Sequence, residues 1–116
     1  MKARTEVTAE DLMVGVAATY EVEIPPEVLR PGPNGHAGLQ HDGMVVQLRP
    51  LSIGVFQLIM KAAKEDPGLI PVLMIKESLV KPSMSVEQVK QLHLGVVSFL
   101  IDHVRAISGL VEKKTL

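Results

Sequence analysis

The chain has no cysteine and no tryptophan, and its aromatic residues are one tyrosine and two phenylalanines. Lack of cysteine excludes disulfides and thiolate metal sites and fits a reducing compartment. Lack of aromatics removes the stacking platforms that single-stranded nucleic acid recognition needs. An excess of one charge is missing too: twelve basic and thirteen acidic residues leave a formal net charge of -1. Nothing in that balance attracts nucleic acid or an anionic membrane. Long apolar runs are also absent. The longest near-continuous one, Leu94 to Ile101, is far short of the roughly 20 residues of a membrane span. Met1 to Glu10 carries charges and no apolar h-region, so no signal peptide is expected. These absences together lead us to expect a cytoplasmic protein.

What the chain does have is aliphatic mass. Hydrophobic residues make up 47% of it against 3% aromatic, so its core must be built from Val, Leu, Ile and Met. At 116 residues it is the size of one domain, able to bury very roughly two-thirds of its unfolded surface without a covalent staple. We read residues 1–116 as that single domain, with an arm over 1–15 that is flexible or briefly helical, a core over 45–110 and a charged tail over 111–116.

Thr8 and Asp11 have capping-box spacing, which predicts a short helical turn over Ala9 to Met13 that Gly15 would end. Tyr20, Val22 and Ile24 then alternate with Glu21 and Glu23, the period of a half-buried strand over about 17–24. Pro25-Pro26 stops it. Residues 25–43 concentrate proline and glycine and read as a long loop, with a short turn at Glu27 to Leu29. A second strand is expected over about 44–49, pairing with the first as an antiparallel hairpin. Ser52 can cap a helix over about 52–64. There Ile53, Phe56, Met60 and Ala63 form the primary stripe, and Val55, Leu58 and Ile59 widen it to most of the circumference. Helices are also expected over about 69–80, 85–92 and 95–107. Ser85 and Gln88 form a capping box for the third of these four, and Ser108-Gly109 is a stop signal for the last. The fold class is therefore α+β, a hairpin packed on three or four helices.

No constellation here points to catalysis. His36 and His41 share a glycine-rich loop beside Asp42, but a metal site needs at least three fixed ligands and no HExxH spacing occurs. Asp102 and His103 are neighbours on a helix, so their side chains diverge by about 100°. No nucleophile elbow accompanies them, and a Ser98–Asp102 hydrogen bond on the helix surface is the simpler reading. Glu21 and Glu23 share a strand face that reads as the wet one. The glycines of the loop are not followed by the Lys-Ser/Thr helix start of a phosphate loop. A helix-turn-helix regulator would need a basic recognition helix, and the last helix offers only His103 and Arg105. We therefore expect a non-enzymatic protein without metal or cofactor. The informative feature is apolar helix surface beyond the needs of one small core.

The segments EVEIPPEVL (Glu21 to Leu29), VVQLRPLSIGVFQLIMKAAKEDP (Val45 to Pro67), LMIKESLVKPSMSVEQVKQL (Leu73 to Leu92) and VSFLIDHVRAISGL (Val97 to Leu110) carry a family resemblance. Together they resemble the small tail assembly chaperones of tailed bacteriophages and their counterparts in phage-derived contractile injection systems. The resemblance covers most of the chain, roughly Glu21 to Leu110, and rests on structural punctuation. The proline- and glycine-rich insert between the strands departs from it. It implies binding rather than catalysis: such chaperones coat the helical tape measure protein and are generally absent from the finished tail.

On that reading the contacts fall on residues beside the primary stripes, namely Val55, Leu58, Ile59 and Ala62 with Val96 and Phe99. Tape measure, tail tube and baseplate proteins are the implied partners, and homo-oligomerisation is left open. The implied setting is the cytoplasm of the bacterial host. The alternative is a permanent small component of a tail, baseplate or injection particle, found in the assembled particle.

Overall fold

The computed structural model describes residues 5–32 and 43–110. Helix α1 (Ala9–Met13) opens the described chain. Thr8 caps it: the Thr8 Oγ1 accepts from the Asp11 amide at 3.1 Å, and the Thr8 amide donates to the Asp11 carboxylate at 3.0 Å. Gly15 does not end the turn as expected, since a 3-10 turn (Val14–Ala17) carries the helix through it. Strand β1 (Tyr20–Ile24) therefore begins later than the expected residue 17. It buries Val22 and Ile24 and turns Glu21 and Glu23 to solvent, as its alternation dictates. A single helical turn, α2 (Pro26–Leu29), starts with proline at its first position, where no amide partner is lost.

Strand β2 (Met44–Leu48) pairs antiparallel with β1, Tyr20 opposite Leu48 and Ile24 opposite Met44. Helices α3 (Ile53–Ala62) and α4 (Leu69–Ser78) follow. The expected helix over 69–80 is corrected here, because it stops at Ser78. Leu79, Val80 and Lys81 form a third strand, β3 (Leu79–Lys81), antiparallel to β2. Two local causes act together. Lys81 precedes Pro82, which disfavours the helical region, and Val80 is β-branched. The free edge of β2 then offers pairing, with an irregularity between Gln47 and Leu48. The hairpin is thus two strands of a three-stranded sheet ordered β1-β2-β3.

Helix α5 (Val86–Lys90) is shorter than expected but carries the anticipated Ser85–Gln88 capping box. Helix α6 (Leu94–Ile107) is the longest. It ends in a Schellman motif: the Leu110 amide reaches the Arg105 carbonyl at 2.7 Å, the Gly109 amide reaches Ala106 at 3.2 Å, and Gly109 adopts φ of 80°. His93 at its start lies 3.2 Å, through Nε2, from the Leu29 carbonyl and so links α2 to α6.

One hydrophobic cluster joins sheet and helices. Val22, Ile24 and Leu48 from the sheet meet Ile75 of α4, Val89 of α5 and Val104 of α6. Leu48, Ile75, Val89 and Val104 are buried almost without residue, and each contributes about 1.5–3 kcal/mol of transfer free energy. The result is an α+β domain of the expected class, of aliphatic composition throughout.

Candidate functional site

Two hydrogen bonds fix the start of α3. The Ser52 Oγ accepts from the Val55 amide at 3.2 Å, and one residue earlier the Leu51 amide donates to the Ser108 Oγ at 2.9 Å. The second ties the entry of α3 to the end of α6. The helix itself is apolar on nearly every side, yet Ile59 is the only residue within it that is buried. Ile53 is 79% exposed, Leu58 67% and Met60 44%. The stripe read as the core face is therefore turned outward at Ile53 and Met60. Ile59, from the flanking set, takes the inward place with Ala63 just past the helix end. The reason is the small footprint of α4 on α3: ten residues against ten can cover one edge of a helix, and the edge covered centres on Ile59.

A groove of roughly 200 Å³ runs between α3 and α4. Val55, Leu58, Ile59 and Ala62 line one wall, and Leu73 and Glu77 the other. Its polar content is small and already engaged. The Glu77 carboxylate lies 3.5 Å from the Lys76 Nζ, and the Glu77 carbonyl accepts from the Arg49 Nε at 2.9 Å. Such a trough offers dispersion and desolvation, with cations of Arg49 and Lys76 near Glu77 for orientation.

Of the six residues singled out by sequence, four meet in this groove and two do not. Ile59 forms its floor at 3% exposure, while Val55, Leu58 and Ala62 stay accessible. Val96 is core, at 7% exposure. The expectation that it is spare surface is corrected: the inward face of α6 runs Val96, Leu100, Val104 at 4-residue steps, and Val96 opens it. Phe99 is half-buried on α6 and its ring centroid sits 4.4 Å from that of His103. His103 is half-buried beneath that contact, with Nδ1 3.1 Å from the Phe99 carbonyl.

Sequence reasoning missed a second groove on the opposite flank of α3. Phe56 and Met60 face Ile70 and Met74 of α4 and Ile101 and Arg105 of α6 across roughly 490 Å³. Its signal was present, since Phe56 and Met60 are four apart on the broad apolar helix. Assigning that stripe to the core hid it. Helix α3 is thus a ridge with an apolar trough on each side.

Polar clusters are sparse. Among the described residues no group of three or more His, Asp or Glu could hold a metal ion. The pair His36 and His41, with Asp42, lies outside the described residues. Ser98 and Asp102 are both exposed and no hydrogen bond joins them, contrary to the surface bond expected. No helix among the described residues is long and apolar enough to cross a membrane. Comparison with protein-family models, with curated proteins and with solved structures finds no match for this chain.

Proposed function

We propose that this protein is a non-enzymatic assembly factor of a phage tail or contractile injection system, which binds an apolar helix of a partner chain such as the tape measure protein in the α3–α4 groove. One observation carries the reading. Val55, Leu58, Ile59 and Ala62, chosen for lying beside the primary stripe, line a single accessible apolar trough with Leu73. An amphipathic helix lays anchors spaced at i, i+3, i+4 and i+7 into a trough of this kind. Methionines on the other flank, Met60 and Met74, would let the neighbouring surface adapt to irregular ligands. Many weak contacts along a long client add through effective concentration and still release when tube subunits displace them.

The second reading is a permanent component of a tail, baseplate or injection particle. It draws on β1, an edge strand of the sheet among the described residues, which a neighbouring subunit could extend. Affinity capture from the native cell, with the purified particle fraction probed in parallel, separates the two. A long helical tape-like protein in the capture, with this chain absent from particles, is the result expected of a chaperone. Stoichiometric presence in particles replaces that reading with the structural one. Recovery of neither removes both.

A further inference from the structure

The amino-terminal arm lies outside the core, and every position from residue 5 to residue 17 is exposed. Its apolar end is nevertheless set against the start of α3 in the same chain. Met13, Val16 and Ala17 border a gap of roughly 580 Å³ whose other wall is Leu51, Ser52 and Ile53. Val16 also borders a smaller space, roughly 140 Å³, together with Arg49, Val55 and Glu77. Val55 and Glu77 are at the same time lining residues of the α3–α4 groove. Both walls of the larger gap are open to water: Met13 is 59% exposed, Val16 48% and Ile53 79%.

We propose that residues 9–17 form a strap that closes in cis on the start of α3, Met13 against Ile53 and Val16 against Val55, and so gates the Val55 end of the α3–α4 groove. The closure rests on the placement of the arm alone, while the gating rests on the client-binding reading of that groove. Tethering makes the contact intramolecular. Only Ala18 and Thr19 separate the 3-10 turn from β1, and two residues span at most about 7 Å, so the arm cannot leave this neighbourhood. At so short a tether the effective concentration of the strap is very high. The same two residues belong to no helix or strand, and Ala18 leaves the turn extended at φ -73° and ψ 143°, which places the hinge there. The strap is already shaped by the Thr8–Asp11 capping box, so closure orders little new backbone. Charge favours it as well. Residues 5–17 hold Glu6, Glu10 and Asp11 with no lysine or arginine, and Arg49 stands in the lining that Val16 shares. The acid in that lining, Glu77, is paired with Lys76 at 3.5 Å. A client helix that seats on Val55 must therefore lift Val16 away. A strap closed nine-tenths of the time lowers the client's apparent affinity about tenfold.

Methyl NMR of the full chain reads the closure without any client. Nuclear Overhauser contacts from the Met13 methyl to Ile53 and from Val16 to Val55 are expected, and they should persist on dilution. Their absence overturns the proposal. Contacts seen only between differently labelled chains in a mixed sample overturn it too, in favour of a second copy. The gating is read with a synthetic amphipathic helical peptide of leucine and glutamine as the probe. Met13→Ser with Val16→Ser changes no charge and touches two exposed positions, so circular dichroism should stay the same. That chain is expected to bind the peptide about tenfold more tightly than the unaltered one. Equal affinity of the two chains overturns the gating. A peptide that binds neither chain while the methyl contacts are present overturns the groove as a helix site, and the gating with it, and leaves the closure supported.

Discussion

Ser78 and Arg49 hold each other by two reciprocal hydrogen bonds: the Ser78 hydroxyl donates to the Arg49 carbonyl at 2.6 Å, and the Arg49 amide donates to the Ser78 carbonyl at 2.8 Å. Ser78 is the one buried polar residue among those described. It sits where α4 becomes β3, and Arg49 sits where β2 leaves for α3. The pair therefore fixes both ends of the segment that carries the groove. Replacing Ser78 with alanine removes the partner of a carbonyl held against the core, which costs about 1–3 kcal/mol. Urea unfolding should show that loss with an unchanged m-value. An unaltered midpoint would mean that water replaces the hydroxyl without penalty.

The packing role of α3 and the binding role proposed for it are separable by substitution. Leu58→Asp changes an exposed side chain and should alter stability by less than about 0.5 kcal/mol while removing partner binding. Ile59→Ala opens the buried floor and should cost about 2–5 kcal/mol. Thermal and urea unfolding of both variants checks the contrast. Equal destabilisation would show that Leu58 packs in the core.

Val96 and Leu100 should behave as core. Leu100→Ala is expected to cost about 2–5 kcal/mol, and Val96→Asp to prevent folding, because an unpaired carboxylate would be buried in the cluster. A folded Val96→Asp chain, judged by its proton spectrum, would return Val96 to the surface.

Much of this was legible in the sequence, and what was not has local causes. Capping boxes at Thr8 and Ser85 and the stop at Gly109 depend on residues three or four apart, so short-range chemistry reveals them. Strand β3 was hidden because Leu79 and Val80 continue an apolar helical pattern, and only the open edge of β2, 31 residues earlier at Leu48, gives them something else to pair with. Reading α3 failed on rotation. An apolar arc that covers most of a helix leaves several candidate inward faces, so Ile59 could not be told from Met60 until α4 was in place. The groove's second wall, Leu73 and Glu77, lies on another helix and leaves no mark in the α3 sequence.

Gly109 should be intolerant of side chains. Its φ of 80° lies in the left-handed region, where a Cβ meets the following carbonyl oxygen. Gly109→Ala should cost about 1 kcal/mol, and Gly109→Asn less, by chemical denaturation. Equal stability of all three would mean that the end of α6 frays without consequence.

The arm should respond to acid through Asp11. Hydrogen bonds from the Thr8 backbone amide, and then from the Thr8 side chain, hold its carboxyl below the ordinary aspartate value. A depressed carboxyl contributes stability above its unfolded pKa and loses it as pH falls through the folded one. Turn α1 should therefore persist down through the usual carboxylate range and fray below it. Amide exchange at Thr8 and Asp11 measured against pH reports this, and Asp11→Ala should abolish the dependence.

The most direct test of the central claim is methyl NMR of the full chain titrated with a helical segment of its captured partner. Shifts centred on Val55, Leu58, Ile59 and Leu73, with the buried methyls of Val104 and Leu48 little changed, are the predicted result. Shifts centred instead on Ile70, Met74 and Ile101, or on the β1 edge, would contradict the assignment of the α3–α4 groove as the binding site.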